Sequence, residues 1–341
     1  MRAIEIRAFG LDNLVLAERP DPRPGDLRMG QVLVRMRAAS LNYRDLLTVQ
    51  GKYNPKLKLP LIPCSDGVGE VVELGEGVTR VRVGDRVCPI FAQQWLAGEP
   101  TREKARVTLG GPLDGTLAEL MAVDQEALVK VPDHLTDEEA ASLPCAAVTA
   151  WNALTAAGLK AGDTVLVQGT GGVSLFALQF AKALGARVIA TSSSDQKLAR
   201  VREMGAAETI NYRETPNWGA RVKELTGGVG VDLVVEVGGA GTLDQSLRAV
   251  RFGGAISLIG NLAGIDAQVR LTLIFMQNIR VLGIFVGHRE SFEAMNRAIA
   301  VHQLHPVVDR VFPLEEARSA FELMEAGGHF GKICLALSAS R

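Results

Sequence analysis

The chain reads as an α/β protein in which a doubly wound parallel sheet is joined to a second, mostly β domain. Three observations predict this. Short β-type runs broken by glycine turns fill the chain up to Val131, strands alternate with helical patterns beyond it, and a glycine-rich turn at residues 169–172 joins one of those strands to a helix. At 341 residues the chain suits roughly two domains of ~150 residues each. With 47% apolar and 22% charged residues it has material for packed cores and too little charge for disorder.

The first β runs are residues 32–36, 69–74 and 85–90, separated by Gly75-Glu76-Gly77 and Gly84-Asp85. This texture predicts an antiparallel β domain. After Val131-Pro132, Thr136-Asp137-Glu138-Glu139 forms a capping box ahead of an alanine-rich helix. Residues 164–168 are a short strand, and Val173, Phe176, Ala177, Phe180, Ala181 and Leu184 then recur at the spacing of one apolar helix face. Further strands are expected at 187–191, 232–237, 255–260 and 280–286. Repeated β-α-β units imply a parallel sheet. Near the end, Leu314, Ala317, Phe321 and Met324 mark a helix stopped by Gly327-Gly328, and residues 332–337 read as a strand that returns to the first domain. The expected division is 1–126, 127–300 and 301–341, the outer segments forming one domain.

Lys plus Arg number 37 against 38 for Asp plus Glu, with no long like-charge run, which argues against a nucleic-acid partner. No apolar stretch approaches the ~20 residues of a membrane span, and the alternating, charged amino terminus is unlike a signal peptide, so a cytoplasmic protein without membrane partners is expected. The cysteines Cys64, Cys88, Cys145 and Cys334 contain no C-x-x-C pair and are expected to be free, mostly buried thiols. The histidines His134, His288, His302, His305 and His329 show no metal-ligand spacing.

The turn Gly169-Thr170-Gly171-Gly172-Val173-Ser174 carries the first functional signal. Gly169 suits a tight turn, Gly171 lets a pyrophosphate approach the backbone, and the helix amino terminus offers free N–H groups and a positive dipole end. Serine at 174 stands where the full G-x-G-x-x-G pattern has its last glycine. An NAD-selective site usually carries Asp or Glu at the end of the next strand. Here Ser192-Ser193-Ser194 is followed by Lys197 and by Asn211-Tyr212-Arg213, groups able to hold a 2′-phosphate, so NADP(H) is the expected cofactor. Asp195 is a counterweight near the adenosine ribose. Ser194 capping the next helix is the structural alternative.

The phrase Val83-Gly84-Asp85-Arg86-Val87, the segment from Leu143-Pro144-Cys145 through Thr149-Ala150-Trp151-Asn152-Ala153-Leu154, and the glycine turn together resemble the medium-chain dehydrogenase/reductase superfamily. The resemblance covers nearly the whole chain. It implies a GroES-like catalytic domain with a twisted β core, a Rossmann domain inserted before the final segment, and an active site between them. Zinc-dependent members carry metal ligands where this chain has Asn42, then Cys64-Ser65-Asp66, then a retained Cys145. One thiolate with an amide and a hydroxyl does not supply three zinc ligands, so no metal is expected. The closer resemblance is to the zinc-independent quinone oxidoreductase and zeta-crystallin branch, through Asn42-Tyr43-Arg44-Asp45 and Gly51-Lys52-Tyr53, although residues 46–50 lack that branch's arginine.

That likeness implies Asn42 as a hydrogen-bond donor to the substrate oxygen and Tyr53 as proton donor or orienting hydroxyl, since a phenol carries its proton at neutral pH. It also implies cofactor contacts from Thr149 and Lys332, which join those read from the residues themselves: Gly169, Gly171, Gly172 and Val173 at the turn, Ser192, Ser193, Lys197 and Tyr212 at the next strand end, and Gly260 and Asn261 at the ligand-binding end of a parallel strand. The expected function is transfer of hydride from NADPH to a quinone or activated enone, in a homodimer joined through the edge strand near residues 281–286. Two alternatives stay open. One is an alcohol dehydrogenase using a metal through Cys145 and Asp66, and the other a protein that binds NADPH without turnover.

Overall fold

Residues 1–337 are described by a computed structural model. Chain contacts divide it into two units, Met1–Val148 with the segment from Gly287 onward, and Thr149–Val286. Among the described residues no helix is long and apolar enough to cross a membrane.

The first unit is built from β1 (Arg2–Ile6), β2 (Leu14–Glu18), β3 (Gln31–Ser40), β4 (Asp66–Leu74), β5 (Arg86–Pro89), β6 (Leu120–Asp124) and β7 (Leu128–Lys130). The second unit contributes β8 (Thr164–Gln168), β9 (Arg187–Ser192), β10 (Glu208–Asn211), β11 (Val231–Glu236), β12 (Val250–Leu258) and β13 (Arg280–Gly283). The returning chain adds β14 (Val308–Pro313) and β15 (Lys332–Ala336) to the first unit.

In the first unit β1 and β2 pair antiparallel, and a larger sheet runs β14-β15-β3-β4-β5-β7 with β6 also on β3. All its pairs are antiparallel except β14 with β15. The long β3 is the hub, because Val32, Val34, Met36 and Ala38 on alternate positions are buried, the period a pleated strand requires. Gly69 permits its closest neighbour, since a Cβ there would lie 2.5 Å from the Arg35 carbonyl oxygen. The returning β15 pairs Cys334 with Ser40 and Ala336 with Ala38, so the tail docks on the first domain as its pattern predicts.

The unit boundaries fall at 148 and 287 instead of 126 and 300. Two packings explain the shift. β7 pairs with β5, and the short helix Asp137–Ala141, whose Thr136–Glu139 capping box forms as read, contacts β3 and β4. The helix Arg289–His302 lies against β7, with Asn296 Nδ2 donating to the Lys130 carbonyl at 2.9 Å.

The second unit is a wholly parallel sheet in the order β10-β9-β8-β11-β12-β13. Connections leave β8 and β11 in opposite directions, which makes the β8/β11 boundary the switch point where ligands of such sheets bind. One sheet face carries a core of Leu166, Ile189, Val222, Val234, Leu247 and Ile256. The helix Gly172–Ala183 buries Phe176, Ala177, Phe180 and Ala181 as expected, and Leu175 and Leu178 too. The burial is broader than one stripe because a second helix covers it, Trp151 standing edge-on to Phe180 at 5.5 Å. The last strand is shorter than its apolar run predicts, ending at Gly283.

Candidate active site

In the second unit the glycine turn begins with Gly169 at φ 72°, a left-handed conformation that favours glycine. Gly171 caps a twelve-residue helix that begins at Gly172. A Cβ added at either Gly169 or Gly171 meets nothing within 4 Å, so the space over the turn is open. Helix amino-terminal N–H groups facing open space fit a pyrophosphate. Ser174 is buried and its hydroxyl donates to the Gln168 carbonyl, so it ties helix to strand where glycine is usual.

At the end of β9, Ser192 is buried and Ser193 half-buried, while Ser194 caps the helix Asp195–Glu203 by accepting from Lys197 N at 3.4 Å. The structural alternative for Ser194 is therefore realised, and Ser192 and Ser193 remain at the strand end. Lys197 is half-buried and Tyr212 exposed. Asp195 is exposed and accepts from Asn211 Nδ2 at 2.9 Å through Oδ1. Thr149 is buried near the start of the helix Val148–Ala156, and Val173 is half-buried.

The switch point holds a buried acid that no sequence motif marks. Glu236, at the carboxyl end of β11, is fully buried and accepts from Gly238 N at 2.8 Å, Gly239 N at 2.9 Å, Thr242 Oγ1 at 2.6 Å, Gln168 Nε2 at 2.7 Å, and Ser246 Oγ. Five donors satisfy its lone pairs, as a buried carboxylate demands. The turn it organises lies backbone to backbone against residues 260–264. Ala263 N donates to the Gly238 carbonyl and Ala240 N to that of Gly264, and a Cβ at Gly260 would fall 2.5 Å from the Val237 oxygen. Gly260 and exposed Asn261 are thus placed by Glu236 at one remove. Its signal in the sequence was an acid closing the strand after the apolar run Leu233-Val234-Val235.

In the first unit, Asn42 stands at the start of the helix Tyr43–Val49, and its backbone N–H donates to Asp45 Oδ2 at 2.8 Å. The Lys332 ammonium, arriving on β15, donates to Asn42 Oδ1 at 2.6 Å and to the Leu41 carbonyl at 2.7 Å. Asn42 Nδ2 donates to Ser65 Oγ at 3.5 Å, Ser65 Oγ to Asp66 Oδ1 at 2.7 Å, and Cys145 N to Asp66 Oδ2 at 3.0 Å. Asn42, Ser65, Asp66 and Lys332 are all buried. Lys332 therefore lies beside Asn42 and holds its oxygen, while one hydrogen of Nδ2 goes to Ser65. Tyr53 is exposed, with the Arg44 guanidinium 4.9 Å over its ring. Arg44 itself is fixed by the Leu109 carbonyl at 2.9 Å and by Asp45 at 3.2 Å. The resemblance places Ser65 and Asp66 at the same site as Asn42, which lies 23 residues before Ser65, but does not give the hydrogen bonds that join them.

Burial pushes the Asp66 carboxyl up to about 6, against the pull of the Lys332 ammonium. The carboxylate form is the penalised one in the folded chain, so folded protein keeps this proton to higher pH than unfolded protein does. Asp66 thus favours folding below its ordinary value of 3.8, and that advantage is lost as pH rises through 6. Wild-type stability relative to Asp66→Asn is expected to fall by about 2–3 kcal/mol over this window. Urea titrations of both proteins across it check this, and a constant difference refutes it.

Burial also pushes the Cys145 thiol well up, with the Asp66 charge adding to the effect. The positions matching a zinc site present one thiol, a hydroxyl, and an amide oxygen already accepting from an ammonium. Both Asp66 oxygens are committed. Among the described residues no group of three or more His, Cys, Asp or Glu side chains is placed to hold a metal. This donor set does not fit a tetrahedral catalytic zinc.

Family models for an alcohol dehydrogenase GroES-like domain and a zinc-binding dehydrogenase match residues 28–133 and 172–300. A zinc-type alcohol dehydrogenase-like protein of Schizosaccharomyces pombe is 45% identical over 92% of both chains. This chain belongs to the medium-chain dehydrogenase/reductase superfamily. It is an oxidoreductase that uses a nicotinamide cofactor, NAD or NADP. Another superfamily relative, an acryloyl-coenzyme A reductase of Metallosphaera sedula, is 33% identical over 93% of this chain and 95% of its own. A solved structure of a putative alcohol dehydrogenase from Sinorhizobium meliloti 1021 superposes with TM-score 0.92 at 41% identity, covering 98% of both chains. A mycobacterial quinone oxidoreductase superposes with TM-score 0.81 at 30% identity, covering 99% of this chain and 100% of its own.

Proposed function

We propose that this dehydrogenase/reductase reduces a quinone or an activated enone with NADPH and without zinc. The observation that carries the reading is the Lys332 ammonium 2.6 Å from Asn42 Oδ1, a cation seated on the side chain that stands at a metal-ligand position of the zinc-dependent branch. When bound, reduced nicotinamide supplies hydride. The chain's own task is then to hold the substrate oxygen and stabilise the negative charge that develops on it. Asn42 does so by donating from its amide, and the buried, dry setting strengthens that bond. Tyr53 is the orienting hydroxyl or proton donor at the exposed rim, with solvent as the other source. Relatives named as an acryloyl-coenzyme A reductase and a quinone oxidoreductase support an acceptor of this electrophilic class.

The serines at the end of β9, with Lys197 nearby, support NADPH over NADH. Lys197→Ala is expected to raise the Kd for NADPH about tenfold and spare NADH, the loss of one charge-assisted contact. Equal loss for both cofactors removes Lys197 from phosphate selection.

The decisive assay follows NADPH oxidation by simple quinones and enones, with and without chelator dialysis, with NADH and an alcohol plus NADP⁺ as parallel arms. Chelator-resistant turnover preferring NADPH is the expected result. Chelator-sensitive alcohol oxidation would instead support the second reading, a zinc-type alcohol dehydrogenase, which the names of several relatives favour.

A homodimer is part of the proposal. β13 is an edge strand, Val281 on it is exposed, and Leu271, Phe275 and Met276 just before it are exposed apolar residues. Such an edge suits pairing with a second copy. Light scattering giving a monomer mass would reject it.

A further inference from the structure

The first unit contains an amide whose orientation matters and a lysine with no evident reason to be buried. An asparagine side chain carries an acceptor at one corner and two donors at the other, and the two orientations have nearly the same shape. In the reading proposed above, on which this inference rests, Asn42 works only with its nitrogen available to the substrate oxygen. Something must therefore decide which way the amide lies.

We infer that Lys332 is a positioning residue that locks the Asn42 amide with Nδ2 turned away from the ammonium, one N–H to Ser65 and the other for substrate. An ammonium has three N–H donors and no acceptor, so it tolerates only Oδ1 beside it. The Lys332 Nζ contacts at 2.6 Å to Asn42 Oδ1 and 2.7 Å to the Leu41 carbonyl enforce that choice. On the opposite side, the Ser65 hydroxyl gives its proton to Asp66 Oδ1 and presents a lone pair to Asn42 Nδ2. Donor direction is thus consistent from Lys332 through Asn42 and Ser65 to Asp66. The backbone end of Asn42 is held as well, by Asp45, which Arg44 pairs in turn.

The lysine comes from far along the chain. β15 lies against β3, Leu41 N donates to the Ile333 carbonyl at 2.9 Å, and Lys332 is thereby brought beside a side chain 290 residues earlier. Burying an ammonium is unfavourable unless its bonds are made. Here two of them are made to the residue it orients and to that residue's neighbour.

Lys332→Met keeps the stem and removes the donors. Its kcat is expected to fall 10- to 100-fold with the KM for NADPH within twofold, because cofactor binding is untouched while the donor to the substrate oxygen is randomised. Asn42→Asp should lose kcat at least as strongly while remaining folded, since a carboxylate pairs with Lys332 but has no proton to donate. A readout free of turnover is the side-chain amide ¹⁵N–¹H signal of Asn42, assigned by its loss in Asn42→Asp. It should shift or broaden in Lys332→Met.

If Lys332→Met does not fold, Lys332→Gln replaces it with a group that both donates and accepts, and the same amide signal should show two environments. An unchanged signal, or an unchanged kcat, overturns the inference. A raised KM for NADPH at constant kcat overturns it too, making Lys332 a cofactor contact. Failure of the wild-type protein to reduce quinones or enones would sink the functional reading alone, because the amide signal requires no substrate.

Discussion

Replacing Glu236 by alanine is expected to lower the stability of the second unit by about 3–5 kcal/mol, the scale seen when one partner of a fully buried charged network is removed. Gly238 N, Gly239 N and Ser246 Oγ would lose the acceptor around a carboxylate with no solvent exposure, while Thr242 Oγ1 keeps the Gly239 carbonyl and Gln168 Nε2 keeps Ser246 Oγ as second acceptors. Each orphaned donor costs about 1–3 kcal/mol, reduced where water enters the space the carboxylate vacates. Cofactor affinity should fall with it, by at least about tenfold. The turn after β11 takes its shape from these bonds, Gly239 sitting at φ 77°, and it supports residues 260–264 beside it. Glu236→Gln should be milder, about 1–2 kcal/mol. Its remaining oxygen can still serve Gly238, Gly239 and Thr242, and the Ser246 hydroxyl can rotate to accept from the new amide. Urea unfolding and NADPH titration of both variants test this. An alanine variant within about 1 kcal/mol of wild type would show that water replaces the carboxylate without loss.

The second large effect lies in the other unit. A Cβ at Gly115 would stand 2.0 Å from the Cys64 oxygen and 2.3 Å from the Pro63 oxygen, against backbone that cannot swing aside. Cys64 is already at φ 70°, and Gly115 N donates to the Ile62 carbonyl at 2.7 Å, so neither strand of this contact has a relaxed alternative. Gly115→Ala is expected to destabilise by about 3 kcal/mol or more, the upper part of the overpacking range. It should also depress kcat, since the displaced backbone carries Ser65 and Asp66. Gly84→Ala is the control. Gly84 has φ 89° but nothing within 4 Å of an added Cβ, so only backbone strain of about 1–2 kcal/mol is expected, with activity intact. Thermal melts with matched kinetics decide between them, and comparable losses for both variants would refute the steric account.

These effects separate what local pattern carries from what contact carries. The glycine turn, its strand and its helix were legible because each is written within a few consecutive residues. Gly169 needs its backbone angle, and Phe176, Ala177, Phe180 and Ala181 need one helix face. The contact-based unit limits differ from the expected 126 and 300 because β7 and the helix at Arg289–His302 owe their membership to partners far along the chain, and no local composition marks that. Glu236 showed only as one of two acids in its strand, since the folded turn that aims Gly238, Gly239, Thr242 and Ser246 at it, and Gln168 on the neighbouring strand, leave no local pattern.

By itself, the sequence determined the alternation of strands and helices, the place of the glycine turn between strand and helix and the presence of Asn42, since periodicity and short motifs act through neighbouring residues. Only the tertiary structure decided that Lys332 lies against Asn42, that Ser65 and Asp66 complete the same chain of donors, and that Glu236 anchors the switch point. The reason is physical. A buried charge is tolerable only where its partners converge, and that convergence is a property of the packed sheet, not of any segment within it.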